Sequence, residues 1–445
     1  MTCRKSKIKE FLFVFTFMLI GLSSAQQQSY DLKACLTQAF KNSNLLKIAD
    51  LGVEISREDI AVAKAQRIPA VSASGVYTRI GKISSFSIPM GGQVREFKFG
   101  TPNRMNADVS ARVPLFTWGR ISSSIFISQK AKEMSTLQRK QKAIEVTDQV
   151  LRAYYAVLLN QKVIAANESN LERANRHLKI AEKRYKSGHV AKLQYLRARV
   201  QSVNAANALA ETHSNLEKSN IWLAKVIGRE GERVTATGSL DYSPVSFDVG
   251  ALLQQAFARR HDLAILALRK EMSRKQITLA GSANKPNVFA SSGYSVQNGF
   301  NPMEPEKFVD NWNIGVQISI PLYDGGLTHH KVQKAELQLE SAELREKEIR
   351  EMIAMQIRQA IVSLNQAEEK ISTQEENISF AKEALQSAER QYNEGLISSI
   401  EVIDAQQALS QNELMVIQTI FNHIMAKLDL CKAIGDYTWF ESSVE

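Results

Sequence analysis

The chain has 445 residues, 44% of them hydrophobic and 23% charged, with a formal net charge of +10. Gly (21) and Pro (9) are too scarce for collagen-like or low-complexity classes, and three Cys supply neither a disulfide scaffold nor a zinc-ribbon count. Beyond the N-terminus the sequence reads as having no apolar run long enough for a transmembrane helix, which argues against a helical membrane protein.

The first element is a targeting segment. Arg4, Lys5, Lys7 and Lys9 precede the apolar stretch Phe11 to Leu22 and the small residues Ser23-Ser24-Ala25. That order predicts a cleaved signal peptide over residues 1–25. Its removal takes away four basic residues and one acidic one (Glu10), leaving 420 residues, a charge of +7, and Cys35 and Cys431. No Cys follows the cleavage point, so a lipoprotein is not expected. Export permits a disulfide between the two remaining cysteines, but single buried thiols are the plainer reading.

The mature sequence is an internal duplication. Residues 39–69 align with 256–286 at an offset of 217, with eleven of 31 positions identical, among them Ala39/Ala256, Phe40/Phe257, Glu54/Glu271 and Pro69/Pro286. From Pro114/Pro321 to Gly228/Gly435 the offset is 207. The ten-residue slip falls between Pro69 and Pro114, in a stretch that reads as a loop-bearing hairpin, where an insertion costs least. Each half predicts the same order: a helical segment, two short strands, a very long helix, a Gly, and a shorter helix.

The strand signal is alternation. In Asn311–Pro321, Trp312, Ile314, Val316, Ile318 and Ile320 alternate with Asn313, Gly315, Gln317 and Ser319. In Met105–Val113 the apolar set is Met105, Ala107, Val109, Ala111 and Val113, against Asn106, Asp108, Ser110 and Arg112. Val71–Arg79 and Val288–Gln297 alternate more weakly. Period two predicts strands with one apolar and one wet face. Each run is close to the roughly 9–11 residues that a tilted strand needs to cross a bilayer. A soluble sandwich edge would give the same pattern strand by strand. Gly81–Arg104 and Asn298–Asp310 read as polar loops, with Arg95–Lys98 and Glu304-Pro305-Glu306 as solvated turns.

The helical signal is stronger. No Pro or Gly occurs between Gly119 and Lys186, and Val150, Val157, Ile164, Leu171, Leu178 and Tyr185 recur every seven residues. Ile357, Leu364, Ile371, Ile378, Leu385 and Tyr392 repeat the pattern 207 residues on. A strict seven-residue apolar repeat predicts coiled-coil packing of helices on the order of 100 Å long. Gly188 and Gly395 end them as left-handed caps, and amphipathic sequence resumes at Leu193 and Ile400. Short links between helices predict antiparallel hairpins, so the glycines mark two tips. Residues 119–187 carry fourteen Lys/Arg and six Asp/Glu, whereas 326–393 carry nine and twelve. Two solvated faces explain that contrast as well as alternating neighbours in a ring do.

Four strands cannot close a barrel. Open strand edges are not tolerated in hydrocarbon, and the smallest closed barrels have about eight strands. If the strands enter a membrane, several copies must pool them, together with their helices. The expected shape is a β-barrel stacked on an α-helical barrel.

Val113-Pro114-Leu115-Phe116-Thr117-Trp118-Gly119-Arg120 and Ile320-Pro321-Leu322-Tyr323-Asp324-Gly325-Gly326 stand at corresponding places in the two halves. So do Arg184-Tyr185-Lys186-Ser187-Gly188 and Gln391-Tyr392-Asn393-Glu394-Gly395, the latter followed by Glu401-Val402-Ile403-Asp404-Ala405. In this order and spacing, over essentially the whole mature chain, they resemble the TolC family of outer-membrane efflux proteins. The resemblance implies a mixed α and β membrane protein. It would be a homotrimer whose twelve-stranded β-barrel is continuous with a twelve-helix periplasmic tunnel, built from an internal duplication. It implies an outer-membrane protein of a Gram-negative bacterium reaching into the periplasm. It also implies a passive exit duct that docks to a periplasmic adaptor and an inner-membrane transporter. A type I secretion conduit is the alternative within that class, and a non-pore periplasmic coiled-coil scaffold the alternative outside it.

On this reading residues 26–68 form an N-terminal helical and equatorial segment, 69–118 the first transmembrane hairpin and 119–228 the first long helical hairpin. Residues 229–285 make an equatorial connector and helix, 286–324 the second transmembrane hairpin, 325–435 the second long helical hairpin, and 436–445 a tail. Pro114, Gly119, Pro321 and Gly325 would be strand-to-helix hinges. The family narrows its periplasmic mouth with acidic residues, here Glu401 and Asp404, three apart on one helical face. Glu401 departs from a double-Asp version. Ile397 stands where some members carry a basic partner, so a restraining ion pair through it is not expected. The first repeat has Gln194 and Arg197 at the equivalent positions and supplies no acidic ring. Gly188, Gly395, Tyr185 and Tyr392 mark the tips an adaptor would abut, although both tyrosines read more readily as core knobs sealing the hairpins.

No catalytic set, cofactor motif or metal site is read: His329-His330 lacks ligand partners at binding spacing, and neither a P-loop nor a G-x-S-x-G elbow occurs. Export and mixed charge argue against nucleic acid as a partner.

Overall fold

The computed structural model describes residues 28–98, 100–245, 247–301 and 304–438. The signal peptide read over residues 1–25 lies outside the described residues. In chain order the elements are β1 (Gln28–Tyr30), α1 (Leu32–Asn42), α2 (Asn44–Ala65), β2 (Ala70–Arg79), β3 (Ser85–Met90), β4 (Gln93–Lys98) and β5 (Asn103–Phe116). Then follow α3 (Arg120–Lys186), α4 (Lys192–Val226), β6 (Val234–Ala236), α5 (Val249–Arg259) and α6 (His261–Gly281). The last are β7 (Asn287–Gln297), β8 (Val309–Ser319), α7 (Leu327–Glu394) and α8 (Ser399–Ile434). The duplication is visible in these bounds. Helices α1 and α2 recur as α5 and α6 217 residues on, and α3 and α4 recur as α7 and α8 207 residues on.

The ten-residue slip resolves into an element the sequence reading missed. Residues 81–104 were expected as a polar loop, with Arg95–Lys98 a turn. Instead β3 and β4 pair as an antiparallel hairpin, Phe86 opposite Phe97 and Met90 opposite Gln93. Gly91 and Gly92 turn it, at φ 59° and 84°. Positive φ at both central residues is what a two-residue hairpin turn demands, and Gly supplies it without strain. Among the described residues between β7 and β8 no such hairpin occurs.

The chain divides into two compact units. One comprises residues 50–138 and 262–348 and holds a four-stranded sheet in the order β2-β5-β7-β8, every neighbouring pair antiparallel. The sheet's register aligns the alternation of all four strands. Ala73, Val109, Tyr294 and Trp312 fall in one row, and Val71, Ala111, Ser292 and Ile314 in the next on the same face. The opposite face carries the rows Ser72, Ser110, Gly293, Asn313 and Ser74, Asp108, Ser295, Asn311. A one-residue slip at any pairing would mix the two faces, so the register is fixed by what each face must contact. Trp312 and Ile314 are 71% and 76% exposed, and among the described residues the outer edges of β2 and β8 carry no partner strand. Near the helical segments of this unit, Ala63, Ile121 and Ile125 form a small core.

The other unit comprises the residues up to Ala49, Arg139–His261 and Ile349 onward. Its main core gathers Leu32, Cys35 and Ala39 of α1, Val150, Tyr154 and Val157 of α3, Leu223 and Ile227 near the end of α4, Val234 and Ala236 of β6, and Leu428 and Cys431 of α8. The parallel pair β1–β6 lies against it. By length and composition α8 alone among the described helices is apolar enough to cross a membrane. Its apolar residues Val402, Leu409, Ile424, Leu428 and Ile434 are instead buried in the unit. Both cysteines are free and buried. Burial pushes each thiol up to about 12, so neither is a thiolate at neutral pH. A buried ionic knot ties α8 to α3. Asp148, 5% exposed, receives hydrogen bonds from Arg152 (3.1 Å), Lys432 (3.3 Å) and the Tyr437 hydroxyl (3.1 Å).

Candidate functional site

Two places carry the functional expectations: the ends of the sheet, and the tips of the two helical hairpins. At the sheet, aromatic residues ring both ends of the apolar face. Tyr77, Tyr294 and Trp312 sit toward the β7–β8 loop end; Phe116, Trp118 and Tyr323 sit toward the helices. Amphipathic rings favour the two boundaries of a bilayer, where one end is dry and the other wet. The expected hinge residues lie at the strand-to-helix junctions. The register of β5 breaks between Pro114 and Phe116, Trp118 takes φ 48°, and Gly119 takes φ 80°. A tryptophan in that region is strained, and its ring packs edge-on against Phe116 at 5.1 Å between centroids. In the second half Pro321 follows the end of β8, and Gly325 takes φ 65°. Asp324 caps α7 there by accepting from the backbone N–H of Gly326 (3.0 Å) and Thr328 (2.9 Å). That cap was not read from the sequence, although Asp just before a helix is a start signal.

At the tips both long helices end alike. The N–H of His189 bonds the carbonyl of Arg184 and that of Leu396 bonds the carbonyl of Gln391, each at 2.9 Å. Gly188 and Gly395 turn left-handed between them, at φ 80° and 83°. This is the cap expected where a helix stops at glycine.

The chemistry around the two turns differs. Tyr392 is 2% exposed and packs with Leu385, Val402 and Leu409. Tyr185, its repeat equivalent, is 37% exposed and stacks on Tyr195 at 5.6 Å. The core reading therefore fits Tyr392 and not Tyr185. Of the two expected contact tyrosines only Tyr185 offers a surface.

Sequence reasoning missed what surrounds Tyr392. Arg184 of α3 lies 4.9 Å over its ring and donates to its carbonyl oxygen at the end of α7. His177 packs on the same ring at 5.1 Å, and its Nε2 lies 2.7 Å from the Ser399 hydroxyl. His177 is 4% exposed, and burial pushes its pKa down to about 4, so the ring is neutral at pH 7. His177 and Arg184 lie on α3 and Ser399 lies beyond the Gly395 turn, so no apolar pattern within one helix joins them to Tyr392.

Glu401 and Asp404 are both exposed, one turn apart on the same face of α8, as expected. Val402 and Ile403 between them are buried. Glu401 also has a local role. Ser398 is the N-cap of α8, with its hydroxyl accepting from the N–H of Ile400, and it donates to the Glu401 carboxylate. That bond holds Glu401 below the usual carboxylate range, so the charge is present at neutral pH. Ser398-x-x-Glu401 is a capping box and was legible as one. At the first tip Ala191 holds the cap position with no side-chain bond, and Gln194 and Arg197 follow.

The chain matches the family described as "Outer membrane efflux protein" over residues 35–229 and 252–436, one block for each repeat. It is 22% identical over 423 residues to the outer membrane efflux protein BepC of Brucella suis, covering 92% of this chain and 86% of that one. The fold is that of the outer membrane protein VceC of Vibrio cholerae, with a TM-score of 0.76 and 18% identity over 91% of this chain and 96% of that one. The Campylobacter jejuni CmeC outer membrane channel gives 0.76 at 16% identity, over 91% and 85%.

The chain thus belongs to the outer membrane efflux protein family. It is an outer-membrane protein, and its function is efflux.

Proposed function

We propose that three copies of the chain make one conduit. The sheet that each leaves open at β2 and β8 is its third of a twelve-stranded barrel, and its long helices are its third of a twelve-helix tunnel. The observation that carries this reading is the pair of unpaired edges beside a continuous apolar face. In hydrocarbon each unpaired N–H and C=O costs several kcal/mol, so the edges need strands from other copies. The antiparallel alternation continues if β2 of one copy meets β8 of the next. Pro114, Gly119, Pro321 and Gly325 turn the chain from barrel wall into helix.

The conduit is a passive exit duct with no chemistry of its own. An inner-membrane transporter drives the cargo, and a periplasmic adaptor joins the transporter to the tips around Gly188, Gly395 and Tyr185. Tyr392 supports that surface from beneath. Exposed Glu401 and Asp404, three of each by symmetry, narrow the periplasmic mouth and give it a negative field. Ser398 steadies Glu401 in its charged form.

The experiment is the detergent-extracted mature protein in planar bilayers. Glu401→Ala with Asp404→Ala is expected to raise single-channel conductance and weaken cation preference. Unchanged conductance and ion preference in that double variant would remove the acidic ring from the reading. A wild-type particle that is monomeric and still conducts would remove the pooled barrel.

A further inference from the structure

The four-stranded sheet carries five charged residues: Arg79 on β2, Arg104, Asp108 and Arg112 on β5, and Asp310 on β8. Arg79 and Asp310 belong to the apolar face's alternation and lie at the end of the sheet beside the loops. The other three share one strand and the polar face, where Asp108 stands opposite Ser74 and Ser295, and Arg112 opposite Ala70 and Ser291. Strands β2, β7 and β8 give that face no charge at all.

Two of the three are held in place. The Ser74 hydroxyl donates to Asp108. The Arg112 guanidinium lies 4.1 Å from the centroid of the Phe289 ring, whose own strand neighbour is Pro114. A guanidinium stacked on an aromatic face keeps its position without surrendering its hydrogen-bond donors.

We propose that Arg112 is a specificity-determining residue of the conduit: a fixed cationic site in the barrel lumen that favours the carboxylate or phosphate groups of passing cargo. The inference rests on the pooled-barrel reading, in which the polar face lines the lumen and each residue of β5 becomes a ring of three. Positions four apart on a strand are separated by about 13 Å. The Debye length is about 8 Å at physiological salt, so neighbouring rings are largely screened from one another and Asp108 does not cancel Arg112. Two arginines and one aspartate leave each copy one positive charge on this face. The barrel and the acidic tip then favour opposite ions, and cargo meets a negative ring first and a positive one later. A ring of charged side chains in a confined lumen is a standard source of ion preference.

The test is the reversal potential across planar bilayers in a gradient of KCl. It is measured in the Glu401→Gln, Asp404→Asn background so that the tip does not mask the barrel. That background is expected to prefer chloride. Arg112→Gln should weaken the preference, Arg112→Lys should retain it, and Asp108→Asn should enlarge it. A conducting trimer whose reversal potential is the same in all four proteins would overturn the assignment of Arg112 and leave the pooled barrel standing. If Arg112→Gln fails to assemble, Asp108→Asn decides alone, because an unchanged potential there sinks the lumenal ladder. A monomeric background protein that conducts would overturn both readings together.

Discussion

The two helical tips began as copies of one sequence and keep the same turn, tyrosine and glycine, but differ in what surrounds them. Each closes on a left-handed glycine with the same pair of carbonyl bonds. Around the second, a buried tyrosine, a neutral histidine and an arginine lock α3 against α7 and α8, and a capping box starts α8. Around the first, the tyrosine is outside, the cap position is alanine, and a basic residue replaces the acid. Duplication keeps what the chain's own geometry enforces, a stop and a turn. It releases what only a neighbour enforces. The second tip is therefore the structurally fastened one, and it also carries the exposed acidic pair.

That contrast can be broken most sharply at the tyrosines. Tyr392→Ala empties a fully packed position and should cost about 3–5 kcal/mol, the range for large aromatic deletions. Tyr185→Ala removes a half-exposed ring and should cost less than about 1 kcal/mol. Hydrogen exchange of the backbone amides flanking each turn reads the difference. Equal acceleration at both tips would erase the asymmetry.

The next largest effect is a pH dependence confined to the second tip. His177 has a folded pKa of about 4 against an ordinary value of 6.5, because burial disfavours its charged form. Between these values the unfolded state binds the proton and the folded state does not. Stability is therefore complete above about pH 6.5 and declines as pH falls toward 4. The loss at pH 5 is about 2 kcal/mol, from about 1.4 kcal/mol per unit. Amides around Ser399 should exchange faster at pH 5 than the pH effect on intrinsic exchange explains, and His177→Gln should flatten that response. An identical pH response in the variant would reassign it to another group.

The smallest effect concerns the caps. Ser398→Ala should cost about 1 kcal/mol, and Ala191→Ser should recover a similar amount at the first tip. Thermal denaturation of the two variants in detergent reads opposite shifts in midpoint. Shifts of the same sign would mean that the caps do not distinguish the tips.

Much of this architecture was legible because it is written in short periods. Alternation at Trp312, Ile314, Val316 and Ile318 gives a strand with one apolar face whatever lies beside it. Heptads at Ile357, Leu364 and Ile371 give a helix with a seam, and all three are buried here. The same heptads at Ile164, Leu171 and Leu178 are only half-buried within the chain. Periodicity tells which side of a helix seeks a partner, not whether one chain contains it. The β3–β4 hairpin was missed because the polar character of 81–104 outweighed Phe86, Ile88 and Met90 flanking a Gly-Gly turn. The β1–β6 pair and the Asp148 knot were beyond reading, since each joins segments about two hundred or more residues apart through contacts with no repeat.

The unmatched margins of the sheet bear on how the protein reaches its membrane. A lone copy would present bare backbone to lipid along two full strands, and those margins are equally good templates for pairing with the wrong polypeptide. If copies pool their strands as proposed, insertion and assembly proceed as one event, and the yield of inserted protein should rise more steeply than linearly with the supply of chains.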